Sequence, residues 1–210
     1  DIVDEYLGSP EHERLKAFYA GVQIETNLDC ELLNIKGSPF HLRKTVMNLI
    51  SNAAEAQVAG GKITLLTRNQ YIDRPIKGYE NIHEGDYVVL EVSDTGIGIA
   101  TEELNRIFEP FYTKKVMGRS GTGLGMAVVW GTVQDHRGYI DIESKEGQGT
   151  TFYLYFPVTR DSIVAKKSVI PVEAYMGTGQ TILVVDDVRD QRELASSMLT
   201  KLGYSARAVS

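Results

Sequence analysis

Two asparagines, one strand-end aspartate and a late glycine cluster are the residues of this chain whose types and spacing could do chemistry. Asn48 and Asn52 stand four apart in NLISNAAEA, so a helix turns both amides to one side. Paired amide oxygens are hard donors, of the kind Mg2+ takes when it is shared with phosphates. Asp94 closes the apolar run DYVVLEVSD and opens DTGIGI. A carboxylate delivered by a strand into a glycine turn can accept a strong, charge-assisted hydrogen bond. GTGLG, residues 121–125, opens another helical pattern, and free N–H groups at a helix start suit an anion. Lys114, Lys115 and Arg119 stand just before it and can counter phosphate charge. Each feature has a plainer reading: a solvated helix stripe, an Asp/Gly turn, a glycine loop. A dinucleotide-binding turn is disfavoured, because KKVMGRS before the glycines is no strand.

The elements that must position these residues are legible in outline. Residues 1–20 are polar and partly helical, broken at Gly8-Ser9-Pro10. VQIETNL (22–28) alternates as a strand does, with LLNIKG as a candidate partner. Ser38-Pro39 supplies an N-cap and a first-turn proline, and the helix is expected to run to about Val58. Leu42, Val46, Leu49, Ile50 and Ala53 form its apolar face; Lys44, Asn48, Asn52 and Glu55 form another. KITLLTRNQYI and DYVVLEVSD read as strands joined by a polar excursion with Pro75 and Gly78. Thr101 is expected to cap a short helix. Residues 109–121 read as a loop anchored by Phe108 and Phe111, and 122–137 as a helix. YIDIESKEGQGTTFYLYFP reads as a hairpin turning at Gly147–Gly149. Residues 159–178 read as a linker; TILVV with Asp186-Asp187 and an amphipathic segment ending at Gly203 starts a new pattern.

Bulk composition narrows the classes. The chain has 210 residues, 42% hydrophobic and 24% charged, as a soluble globular protein does. A formal net charge of −6 gives no nucleic-acid footprint. The single cysteine, Cys30, rules out an intrachain disulfide framework and suits a reducing compartment. No apolar run approaches the ~20 residues of a membrane span. The chain opens on Asp1 rather than Met and is expected to be a piece of a longer, cytoplasmic or membrane-anchored protein.

The asparagine helix, DTGIGI, IFEPFYTKK and GTGLG, in that order over roughly residues 38–157, resemble the ATP-binding catalytic domain of sensor histidine kinases, in the gyrase/Hsp90-type ATPase superfamily. The resemblance implies an α/β two-layer sandwich of the Bergerat type, with a mixed, largely antiparallel sheet. It implies ATP and Mg2+ as cofactors, with Asn52 and Asn48 on the metal. Asp94 would read the adenine amine, with Gly96, Gly98, Ile99 and Thr150 around the base. Lys114, Lys115, Arg119 and the 121–125 backbone (Gly121, Thr122, Gly123, Leu124, Gly125) would hold the phosphates. ATP-hydrolysing relatives carry a glutamate where this chain has Asn48. An amide cannot serve as a base, so the resemblance implies phosphoryl transfer to histidine. A self-contained ATPase using Glu55 and a non-catalytic nucleotide-binding module remain the alternatives.

The implied domain plan is 1–20 as the end of a dimerisation region or linker, 21–158 as the catalytic domain, 159–178 as a linker and 179–210 as a truncated receiver. Asp186 and Asp187 match the acidic Mg2+-binding pair of receivers, which makes the whole protein a hybrid kinase of a phosphorelay. Its implied partners are its own phosphoacceptor domain, a receiver domain or response regulator, and a second copy. His12, His41, His83 and His136 offer no convincing phosphoacceptor; that histidine is expected on a helix before Asp1.

Overall fold

The computed structural model describes residues 2–58, 60–113, 122–161 and 172–209, and the chain divides into two units, 1–161 and 162–210. The first unit opens with helices α1 (Ile2–Leu7) and α2 (Pro10–Phe18), broken where Ser9 caps α2 by accepting from the His12 N–H at 3.3 Å. Strand β1 (Val22–Leu28) follows, then helix α3 (Pro39–Glu55) and strand β2 (Gly61–Ile72). β1 pairs with β2 in parallel, the geometry a helical crossover produces. The expected partner LLNIKG contributes only the bridge Ile35 to Val158. Local alternation identifies a strand but not the neighbour it will choose.

Short strands β3 (Ile76–Lys77) and β4 (Asn81–Ile82) form a small hairpin of their own before β5 (Gly85–Asp94). Helix α4 (Thr101–Leu104) is capped at Ala100, without a side-chain cap bond, so Thr101 starts the helix rather than capping it. Helix α5 (Gly125–Asp135) and strands β6 (Tyr139–Lys145) and β7 (Gly149–Pro157) complete the unit. The sheet runs β1-β2-β5-β7-β6. Its remaining pairings are antiparallel, giving the mixed, largely antiparallel sheet the sequence implied.

Strand parity builds the core. Leu90 and Val92 of β5 face the same side as Phe152, Leu154 and Phe156 of β7, against Leu42, Val46, Leu49 and Ile50 of α3 and Val129 and Val133 of α5, and Val88 shares that side by strand parity. The opposite sheet face carries a second cluster of Ile72, Ile82, Tyr87, Val89 and Tyr155. α3 ends at Glu55, three residues before the expected Val58, because the Ala56 carbonyl turns to accept from the Ile97 N–H at 3.2 Å.

The second unit holds a 3-10 turn (Val172–Tyr175), strand β8 (Thr181–Val185), helix α6 (Arg189–Lys201) and strand β9 (Ser205–Val209). β8 and β9 are parallel. No helix among the described residues is long and apolar enough to cross a membrane.

His136 joins the two helices of the core layer. Its Nε2 accepts from the Ser38 N–H at 2.9 Å, so its Nδ1–H donates to the Thr132 carbonyl at 2.6 Å. The Thr132 carbonyl keeps the backbone N–H of residue 136 in His136→Ala, but the Ser38 N–H loses its acceptor, and chemical denaturation should show a loss of about 1–3 kcal/mol.

Candidate functional site

Asp94 follows Val88, Leu90 and Val92 at the two-residue strand period, so its carboxylate lands on the core-facing side of β5. It is 8% exposed. Oδ1 accepts the Gly96 N–H at 2.7 Å, and the Thr150 backbone N–H also donates to the carboxylate. Burial raises the Asp94 carboxyl above its ordinary value of 3.8, while those two N–H groups pull the other way.

The glycines after Asp94 meet protein rather than open space. A Cβ at Gly96 would stand 2.7 Å from Ala56, and Gly98, at φ 69°, would put one 2.1 Å from the Lys145 carbonyl oxygen. The loop is thereby laid between the end of α3 and the β6–β7 turn. Ser144 ties it down, accepting from Ile99 N–H at 2.8 Å and sitting 2.9 Å from the Thr150 hydroxyl.

The opposite wall comes from α3 and α5. Asn48 Nδ2 donates to the Gly125 carbonyl at 3.1 Å, which fixes the amide's direction and joins the asparagine helix to the start of α5. Gly123, at φ 67°, lies so close to Phe111 that a Cβ would reach its carbonyl carbon at 2.5 Å. The Phe111 N–H donates to the Gly123 carbonyl at 3.0 Å. These walls enclose a cleft of about 630 Å3 that takes in Asn48, Asn52, Asp94, Gly98, Ile99, Thr122, Gly123, Gly125 and Thr150 together. Gly96 and Leu124 lie beside it in the chain. Lys114, Lys115, Arg119 and Gly121 lie outside the described residues. Asp186 and Asp187 belong to the second unit, at the end of β8.

Several lining residues carry no obvious signal in the sequence. Ser51 bonds Glu55 Oε1 at 3.3 Å, and both face the cleft. Tyr112 lines it too, held by Glu103 at 3.3 Å and by the Arg106 guanidinium 4.4 Å above its ring. The strand register that sets Ser144 opposite Thr150 was the one available clue to Ser144. Phe108 packs into the core with Trp130, at 5.0 Å between rings. Phe111 does not anchor the loop as expected. The residue is 73% exposed, because its backbone turns left-handed, φ 67°, to meet Gly123. Among the described residues no cluster of three or more His, Cys, Asp or Glu side chains could hold a metal. The oxygens facing the cleft from α3 are instead those of Asn48, Asn52, Ser51 and Glu55. A larger cavity, about 920 Å3, lies at the other end of α3, lined by Leu42, Thr45 and Val46 with residues of α1, β1 and the loop after it.

Residues 37–160 match the histidine kinase-, DNA gyrase B-, and HSP90-like ATPase family. The chain belongs to that family. Similar family members include the sensor kinase CckA of Brucella abortus, 35% identical over 201 residues, which are 91% of this chain and 21% of that protein. The sensor histidine kinase ZraS of Escherichia coli is 34% identical over 137 residues, 65% of this chain and 26% of the relative. The chain thus spans between a fifth and about a quarter of these relatives' lengths. Among solved structures, the catalytic domain of histidine kinase ThkA superposes with TM-score 0.58 at 25% identity, over 75% of this chain and 91% of that one. Full-length ShkA in complex with AMPPNP gives TM-score 0.56 at 23% identity, over 99% of this chain and 39% of ShkA. The family fold is the Bergerat-type sandwich, and the sheet and helix layer described above are that sandwich.

The burial of Asp94 makes a pH-dependent stability prediction. A carboxyl whose folded pKa lies above its unfolded one holds its proton more tightly in the fold. That contribution is present below the unfolded value and is lost as pH rises through the folded one. In urea titrations without nucleotide, Asp94→Asn should therefore exceed the unsubstituted chain in stability at pH 7, with the gap closing towards pH 4. Equal stability across that range would contradict it.

Proposed function

We propose that residues 21–158 are the ATP-binding catalytic domain of a sensor histidine kinase, passing the γ-phosphoryl of ATP to a histidine on a separate dimerisation domain. The observation that carries this is the buried Asp94 carboxylate facing a cleft whose far wall is Asn48, Asn52 and the start of α5. One carboxylate oxygen is already bonded inside the protein, which orients the group towards the cleft. The exocyclic amine of adenine donates to such an acceptor, whereas guanine presents a carbonyl there and is rejected.

The triphosphate would lie towards Gly123–Gly125, where the first N–H groups and positive end of α5 can take phosphate oxygens. Lys114, Lys115, Arg119 and the Gly121 backbone complete the charge balance. Asn52 and Asn48 hold Mg2+, which supplies charge neutralisation on the phosphates. Asn48 fits this role because its Nδ2 is committed to Gly125, so its Oδ1 is the atom left for a cation. An amide at that position cannot deprotonate water. An incoming imidazole brings its own lone pair: the nitrogen–phosphorus bond forms as the bond to the ADP oxygen breaks. Thr150 and Ile99 border the adenine end.

A second reading has one observation behind it. Glu55 places a carboxylate in the same cleft and could serve as a base for water, making the domain a self-contained ATPase.

The domain plan is part of the proposal: 1–20 as the end of a dimerisation region, 159–178 as a linker and 179–210 as the opening of a receiver. The parallel β8-α6-β9 unit supports it. So do Leu183 and Val185, 60% and 66% exposed on β8, a strand that further elements of a receiver would cover. Asp186 and Asp187 would be its Mg2+ pair. The Asp186 carboxylate already accepts from Val188 N–H at 2.8 Å. The whole protein would be a homodimeric hybrid kinase, working in the cytoplasm with a response regulator or its own receiver.

Calorimetric titration of ATP with Mg2+ tests the site. The unsubstituted chain should bind saturably, and Asp94→Asn should lose about 1.5–3 kcal/mol, the worth of a charged hydrogen bond. A supplied sensor-kinase dimerisation domain should become acid-labile phosphorylated. Failure to bind ATP, or GTP binding equal to ATP, would overturn the reading. Steady phosphate release without any added domain, abolished by Glu55→Gln, would establish the ATPase instead.

A further inference from the structure

The excursion between β2 and β5, residues 73–84, belongs to neither layer of the sandwich. Ile82 packs on the outer sheet face with Tyr87 and Tyr155, whereas Tyr79 packs with the helix-side core. The segment therefore passes around the free edge of the sheet, which is β6. Two carboxylates fasten it there. Asp141 accepts the Tyr79 N–H at 2.7 Å, and Glu80 accepts the Ile140 N–H at 2.7 Å and the Gln134 amide at 3.1 Å. One N–H of the edge strand, that of Ile140, and one of its carboxylates, that of Asp141, thus clamp the strap.

Midway along the strap, Tyr79 packs on rings that stand behind the wall of the cleft. Tyr79 meets Phe108 edge-on at 5.4 Å between ring centres, and Trp130 at 6.0 Å. Phe108 stands three residues before Phe111, whose backbone is bonded to Gly123. Ile107, Tyr112 and Gly123 all line the cleft.

We infer that Tyr79 is a positioning residue for the phosphate end of the cleft: it fixes Phe108, and through it the Phe111–Gly123 junction. This rests on the nucleotide reading above. The strap's bonds and ring contacts go to Asp141, Ile140, Gln134, Phe108 and Trp130, none of them part of the adenine end, which is built from Asp94, the end of α3 and the β6–β7 turn. Loss of Tyr79 should thus weaken what the phosphates gain and spare what the base gains, a split that general destabilisation would not produce.

The test compares ATP with Mg2+, by calorimetry, and adenosine, by ligand-observed NMR, on the full 210-residue chain. Tyr79→Ala should raise the ATP Kd about five- to tenfold and leave the adenosine Kd within about twofold; Tyr79→Phe, which keeps the ring contacts, should match the unsubstituted chain for both. Unchanged ATP affinity in Tyr79→Ala, or equal losses for ATP and adenosine, would overturn the assignment. Should Tyr79→Ala fail to fold, the double variant Glu80→Ala with Asp141→Ala removes both fastenings and keeps the ring; an ATP loss of about two- to threefold with adenosine unchanged is expected, and no change in either overturns it. Absence of ATP binding by the unsubstituted chain would overturn the reading of the cleft itself, a result separate from any difference between variants.

Discussion

A carboxylate withdrawn from water must be given partners, and much of the domain's geometry follows from supplying them to Asp94. The strand that carries it alternates apolar residues towards the helix layer, and Asp94 takes the last place in that alternation. The chain can then reverse only through glycine, because the following loop is pressed between Ala56 and Lys145. That reversal returns the Gly96 N–H to the carboxylate, and the neighbouring strand brings the Thr150 N–H. The cost of desolvation is offset only in part by these bonds. The domain thus holds a buried acceptor whose ionised form its own N–H donors compensate only in part. Structural stability and recognition are opposed at this one group.

How much of this the sequence disclosed depended on distance along the chain. The asparagine helix, the strand ending at Asp94 and the β6–β7 hairpin were legible because each is specified within a few residues by period and turn chemistry. The parallel pairing of β1 with β2 was not, since the two are separated by all of α3 and local alternation favoured the wrong neighbour. Thr101 looked like a cap by residue type, yet the helix begins one residue earlier in the backbone. Phe111 looked like an anchor because it is apolar, but a left-handed backbone bonded to Gly123 turns its ring outward. Ser51, Ser144 and Tyr112 were missed because nothing about a serine or tyrosine marks it as facing a cleft until the partner elements are placed.

The two helices over the sheet are joined at both ends by small polar contacts. Asn48 reaches Gly125 at the start of α5, and His136 at its end reaches back to Ser38 at the start of α3. Each bond links a side chain of one helix, or its cap, to backbone at a terminus of the other; the Ser38 N–H, at the cap of α3, is a group with no helical partner of its own. The cleft therefore lies beside one of the two pins that set how α3 and α5 are spaced. The larger cavity lies towards the far end of α3.

Trp130 is the only tryptophan in the chain. Its indole lies 5.0 Å from the ring of Phe108 and 6.0 Å from that of Tyr79. Near-ultraviolet light absorbed by the several tyrosines of the outer sheet face can be handed on to this one ring. Light emitted by the molecule then comes largely from the point where the strap meets α5 and Phe108. The domain has, without any label, an optical signal confined to one junction.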